Sequence, residues 1–275
     1  MHSARTSRKW LLRQRHSFWS PAVGCILPCF APLTNLSSKA TSGIGFELAA
    51  QLMARSASYH VLVGARSPEK GTAAVKDLQS RSLPGSAELL EIDVTKDDTI
   101  ERAVTSVERT HGKLDILVNN AAVSAMQPPL RQQMRDAFDT NATGPAVLTT
   151  AFAELLRKSS ASPARIVNIS SGAGSIARRL DTSSPIYNVQ AVQYRASKAA
   201  LHMVTACQVY EFQSAGIKVF AYDPGFTQSN LGPQNKAEFG AKPASEAVMP
   251  LIDVLEGKRD DEAGKLLHNT GVYPW

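Results

Sequence analysis

Two side chains four residues apart carry the clearest chemistry in this chain, the phenol of Tyr194 and the amine of Lys198 in Tyr194-Arg195-Ala196-Ser197-Lys198. On a helix that spacing puts both on one face. A unit charge about 4 Å from a phenol, at an effective dielectric near 20, is worth roughly 4 kcal/mol. At about 1.36 kcal/mol per pKa unit, the amine would lower a phenol of pKa ~10 by up to about three units. Such a phenol is poised for acid–base catalysis near working pH. A Tyr-x-x-x-Lys string alone is common by chance. Here it follows Ile166-Val167-Asn168-Ile169-Ser170-Ser171, an apolar run ending on two hydroxyls, and precedes the turn Asp223-Pro224-Gly225-Phe226, an order that makes it specific.

A second group of residues suits a phosphorylated ligand. Ser38-Lys39-Ala40-Thr41-Ser42-Gly43-Ile44-Gly45 leads into an amphipathic stretch. Glycines at such a point let the backbone approach a pyrophosphate at a helix N-terminus. The plain alternative is a helix-start turn. Lys39 adds a cation there, but its side chain crowds a turn that favours glycine. About twenty residues past Gly45, a chain that holds NAD usually presents an acid to the ribose. This strand instead ends Val63-Gly64-Ala65-Arg66. A guanidinium pairs with a ribose 2′-phosphate, so Arg66 favours NADP(H) over NAD(H). The alternative is a solvated arginine.

The elements that must position these groups follow a βαβ rhythm after Gly43. Strands are expected at residues 60–64, 89–92, 114–118, 165–169 and 218–222, and helices at 45–54, 68–80, 97–111, 132–156 and 191–214. Strands this apolar are buried on both faces, as in a sheet sandwiched by helices. The expected fold is a Rossmann-type, doubly wound parallel sheet in three layers, a single α/β domain. Its central first strand is the weak point. The residues before Ala40 read Leu33-Thr34-Asn35-Leu36-Ser37-Ser38, with Pro32 ahead of them, too polar for a central parallel strand.

Taken together, these blocks resemble the short-chain dehydrogenase/reductase family over roughly Lys39 to Trp275, in its C-factor-like or carbonyl-reductase-like branch. Gly43, Ile44 and Gly45 match the family's glycine-rich turn, with Lys39 where the family has its first glycine. The resemblance implies NADP(H)-dependent interconversion of a ketone or aldehyde and its alcohol. Ser171 would polarise the carbonyl, Tyr194 would donate the proton, and Lys198 would hold the nicotinamide ribose. Asn141, in Thr140-Asn141-Ala142-Thr143-Gly144, matches the family asparagine that kinks a helix and holds a relay water; an ordinary helix asparagine is the alternative. Asp93 would meet the adenine edge, or else cap the next helix. Asn120, in Asn119-Asn120-Ala121-Ala122, would line the cofactor cleft. Pro224 and Gly225 would pass beneath the nicotinamide, with Thr227 near its carboxamide. An insertion between Ser171 and Tyr194 would rim the substrate pocket, and residues 226–242 would form a mobile lid. In many relatives the helices beginning near Gln132 and Ala191 pair subunits, so a homodimer or tetramer is expected.

Composition bounds the rest. With 275 residues, 43% of them hydrophobic, the chain can fill one α/β core. The net charge of +6 is modest, and Arg5, Arg8, Lys9, Arg13 and Arg15 supply much of it, so neither a nucleic-acid nor a membrane partner is expected. Residues 1–38 form a basic leader set apart from the domain at 39–275. It reads either as a mitochondrial targeting segment or as a piece disordered or foreign to the fold. Cys25, Cys29 and Cys207 are too few for a disulfide framework, which fits a reduced, cytoplasmic setting, and no metal site is expected from them. Lys39 and the weak first strand motivate one rival reading, a silent member of the same fold.

Overall fold

The computed structural model describes residues 33–161 and 163–275. Among them the strands are β1 (Leu33–Ser37), β2 (Tyr59–Ala65), β3 (Ser86–Glu91), β4 (Ile116–Asn119), β5 (Arg165–Ile169), β6 (Lys218–Tyr222), β7 (Leu266–His268) and β8 (Gly271–Tyr273). The helices are α1 (Gly43–Arg55), α2 (Pro68–Ser80), α3 (Asp97–His111), α4 (Leu130–Phe138), α5 (Gly144–Ala151), α6 (Ala153–Arg157), α7 (Ile176–Leu180), α8 (Val192–Phe212) and α9 (Ala244–Leu255). The strands make one sheet in the order β3-β2-β1-β4-β5-β6-β7-β8, parallel except for the final β7–β8 pair. This is the doubly wound Rossmann-type sheet expected from the sequence.

Alternate residues of the strands feed two cores, one on each face. Val61, Val63, Val118, Val167 and Phe220 pack with Leu48, Leu52, Val248 and Leu251 from α1 and α9. Leu36, Leu62, Leu117, Ile166 and Val219 pack with Ile100, Val107, Leu148 and Phe212 from α3, α5 and α8. The chain reverses its winding between β1 and β4, and in such sheets a crevice opens there beyond the strand C-termini.

The weak first strand forms in the centre of the sheet, inside the stretch assigned to the leader; residues 1–32, with Cys25 and Cys29, lie outside the described residues. Its main chain is paired on both sides, to β2 and to β4. Its polar groups are partly provided for. The Thr34 N–H donates to the Asp115 carboxylate at 2.8 Å, and the Asn35 amide donates to the Leu33 carbonyl. Asp115 is held below the usual carboxylate range even though burial pushes it up, because Ser159, Thr34, Ala161 and Lys113 all donate to it. Asn35 Oδ1 and Ser37 Oγ are buried without a partner, so the strand forms at a cost of about 1–3 kcal/mol for each such group.

The helix expected at 132–156 is broken at Asn141, where the resemblance implied a kink. A π-helical turn at Asp139–Thr143 separates α4 from α5. Pro145 has no N–H to continue the ladder, and the Asn141 amide is drawn off to the main chain of Val123. Three further elements, α7, α9 and the β7–β8 hairpin, lie outside the expected strands and helices. The hairpin strands have three residues each, too few for a periodic signal.

Candidate active site and cofactor cleft

At the C-terminal ends of β1, β4, β5 and β6 the chain lines a cleft in two lobes that meet at Lys39, Ser42 and Asn230. The inner lobe is walled by Gly43, Ile44, Asn120, Ser171, Tyr194 and Lys198, and by Pro224, Gly225 and Thr227 from the turn after β6. The outer lobe, of about 710 Å³, is walled by Arg66, Lys70 and Asp93. Every expected site residue except Asn141 and Gly45 therefore lines one continuous groove.

Ser171 caps the short turn after β5, its hydroxyl accepting the Ala173 N–H at 3.1 Å. Tyr194 and Lys198 stand one turn apart on α8, with the amine nitrogen 5.9 Å from the centre of the phenol ring. The pKa expectation is corrected here. Burial pushes the Tyr194 phenol above its ordinary value, the Asp223 carboxylate adds to this, and the Ser171 side chain opposes it. Burial, Asp223 and Ser171 set the phenol's shift rather than Lys198, whose own charge is disfavoured. Burial pushes the amine down to about 7, Asp223 works against that shift, and Lys39 adds to it. The Lys198 amine donates to the Ile169 carbonyl at 2.8 Å. Behind it, the His202 imidazole is lowered to about 4, by burial and then by Lys198, and shares a 2.7 Å hydrogen bond with Ser170.

Asn141 is fully buried beneath this group. Its Oδ1 accepts the Val123 N–H at 2.8 Å, and its Nδ2 donates to Val123 O and to Ser197 Oγ, each at 2.9 Å. Ser197 in turn donates to the Tyr194 carbonyl. Asn141 thus ties the π-turn to the first turns of α8.

The phosphate-type features also converge. Gly43 opens α1 at φ +57°, and the N-cap Ser42 makes no side-chain bond to the helix, leaving the first N–H groups of α1 without a cap. A Cβ on Gly45 would lie 2.5 Å from Asn120 Nδ2 and 2.9 Å from Lys39 O, so only glycine fits. Asn120 holds that turn by donating to the Ser38 and Lys39 carbonyls, both at 3.0 Å. Lys39 takes up a left-handed φ of +53°, and its amine crosses the cleft to the Ala122 carbonyl at 2.6 Å. Burial, with the neighbouring Arg66, lowers its pKa. Asp93 spends one oxygen on the N–H and hydroxyl of Thr95, closing a turn before α3.

Three functional residues had gone unremarked. Lys70, on the first turn of α2, stands beside Arg66 in the outer lobe. Asp223 accepts Gly172 N–H and Gly225 N–H, each at 2.8 Å, and so fixes the turns after both β5 and β6. Its place in Asp223-Pro224-Gly225 was the available signal. Arg195 donates to Ile186, to Val189 (3.1 Å) and to Ala173 (3.2 Å), fastening the inserted segment beside the cleft. The stretch expected as a lid is pinned at both ends. Its two ends pair with each other, Gln228 N–H donating to Lys242 O at 2.9 Å and Lys242 N–H to Phe226 O at 3.0 Å, and Leu231 O accepts from Ser124 Oγ at 2.8 Å.

A doubly wound sheet with a glycine-opened first helix, a basic outer lobe and a Ser/Tyr/Lys group over the strand ends defines a dinucleotide-dependent oxidoreductase. The short chain dehydrogenase family model matches residues 39–238, and the chain belongs to that family. It is 37% identical over 239 residues to the short-chain dehydrogenase anuI of Penicillium roqueforti, covering 84% of this chain and 92% of that one. It is 34% identical over 270 residues to the short-chain dehydrogenase/reductase eupG of a Phoma species, covering 88% and 97%. Among solved structures, the NADPH-bound carbonyl reductase from chicken fatty liver superposes with a TM-score of 0.75 at 28% identity, over 89% of this chain and 99% of that one.

Proposed function

We propose that this protein reduces a ketone or aldehyde to its alcohol with NADPH. The observation that carries the reading is the Ser171, Tyr194 and Lys198 group in the inner lobe, continuous with an outer lobe lined by Arg66, just past β2, and Lys70, on the first turn of α2. The cleft fits a dinucleotide. The uncapped first N–H groups of α1 face the inner lobe at Gly43 and Ile44, and the cationic pair suits a 2′-phosphate. When bound, the reduced nicotinamide supplies hydride.

The chain's own residues do the rest. Ser171 orients the carbonyl oxygen with its hydroxyl. Tyr194, held neutral by burial and Asp223, keeps its proton available for that oxygen as it becomes an alkoxide. Lys198 orients the nicotinamide ribose and can refill the phenol. Asp223 holds the two turns that carry Ser171 and Gly225. NADPH in the chicken enzyme supports the cofactor choice. Pairing of subunits through α4 and α8, where Leu130, Met203 and Tyr210 are exposed, belongs to the same reading.

Fluorescence titration with NADPH and NADH, followed by a panel of ketones and aldehydes, tests the proposal. Saturable NADPH binding with turnover of at least one carbonyl is expected. A second reading, a silent chain that does not hold the dinucleotide, is favoured by the Lys39 amine lying across the groove. It predicts no binding at millimolar NADPH, and binding restored by Lys39→Gly.

A further inference from the structure

The opposite end of the sheet holds a second group of chemically competent side chains. His60 is the second residue of β2, whereas Arg66, just past the end of that strand, lines the cleft. Glu88 lies on the adjoining edge strand β3, and His111 is the last residue of α3, which packs over the same face. We propose that His60, Glu88 and His111 bind one divalent transition-metal ion, zinc above the others, which clamps edge strand β3 to β2 and to the end of α3.

The ligand atoms already converge. His111 Nε2 lies 2.7 Å from Glu88 Oε1, His60 Nε2 lies 3.6 Å from the same oxygen, and all three ligand atoms fall within 4.8 Å of one another. A tetrahedral ion about 2.0–2.1 Å from each ligand needs them roughly 3.3–3.5 Å apart. The 3.6 Å pair meets this without movement. The 2.7 Å pair is a hydrogen bond that opens by less than about 1 Å as the exposed carboxylate swings. Two imidazoles and a carboxylate suit zinc.

The contacts of His60 allow the tautomer a ligand needs. His60 Nδ1 pairs with Ser86 Oγ at 2.8 Å, the outer contact that usually fixes a ligating imidazole. With that nitrogen donating, Nε2 presents a bare lone pair toward Glu88 and His111. It is buried and has no hydrogen-bond partner. A Glu88–His111 hydrogen bond alone leaves it so, whereas an ion satisfies all three groups. The histidine side chains are each 17% exposed and the carboxylate 47%, which leaves an open side for water as fourth ligand.

The full chain, stripped with chelator, is titrated with zinc chloride by calorimetry and melted with and without the ion. One equivalent should bind and raise the melting midpoint. Cobalt(II) in its place should give an absorption spectrum without a thiolate charge-transfer band, which separates this site from the cysteines. Glu88→Gln and His111→Ala should weaken binding by about a hundredfold or more, and Ser86→Ala by about tenfold. Glu88→Gln alters an exposed side chain, and its metal-free melt checks that the fold is kept. Absence of saturable binding by the folded chain, a thiolate spectrum, or unchanged affinity in Glu88→Gln and His111→Ala would each overturn the assignment.

Discussion

The Lys198 amine donates to the Ile169 carbonyl at 2.8 Å while its nitrogen stands 5.9 Å from the centre of the Tyr194 ring. Both groups are buried, so neither carries charge easily, and the phenol keeps its proton well into the alkaline range. Removing only the phenolic oxygen should therefore remove the acid and little else. Tyr194→Phe is expected to lower carbonyl reduction by about 10²–10⁴-fold with NADPH affinity unchanged. Steady-state kinetics beside a fluorescence titration separates the two quantities.

His202 makes stability depend on pH. Its imidazole is lowered to about 4 by burial and by Lys198. Between pH 6.5 and about 4 the unfolded chain therefore binds a proton that the folded chain refuses. Stability should fall as the pH drops through that window. His202→Asn should flatten this part of the curve in urea melts at a series of pH values. An equally steep curve in the variant would mean that other groups cause the loss.

Arg66 and Lys70 should discriminate between the two dinucleotides. A charge-assisted hydrogen bond contributes about 1.5–3 kcal/mol. Arg66→Ala is thus expected to weaken NADPH by about ten- to a hundredfold and to leave NADH within a factor of about two. Equal losses for both cofactors would place Arg66 away from the 2′-phosphate.

Gly45→Ala should destabilise the fold as well as the site. The new Cβ would meet the Asn120 amide at 2.5 Å and the main chain of Ala40 and Lys39 at 2.9 Å. The amide can move, but the two main-chain contacts cannot be relieved without reshaping the turn. A loss of about 1–3 kcal/mol in urea denaturation is expected.

Much of this protein could be read from local pattern. The apolar runs at 60–64, 165–169 and 218–222 became β2, β5 and β6, and the residues named for chemistry line one groove, apart from Asn141 beneath it and Gly45 packed behind the turn. Spacing along a helix and residues at strand ends are short-range facts, so a sequence carries them directly. Periodicity carried the helix straight through Asp139–Thr143, and only the resemblance implied a kink at Asn141, because the main chain of Val123 that draws off its amide lies eighteen residues away.

The sequence by itself determined the order of the elements, the glycine-opened helix and the pairing of Tyr194 with Lys198. Tertiary structure decided that the weakly encoded first strand, Leu33–Ser37, holds in the centre of the sheet, since its neighbours β2 and β4 and the Asp115 carboxylate supply what its own side chains lack. It also decided the protonation of the site. A pKa depends on everything packed around a group, and burial outweighed the helical neighbour from which a lowered phenol had been expected.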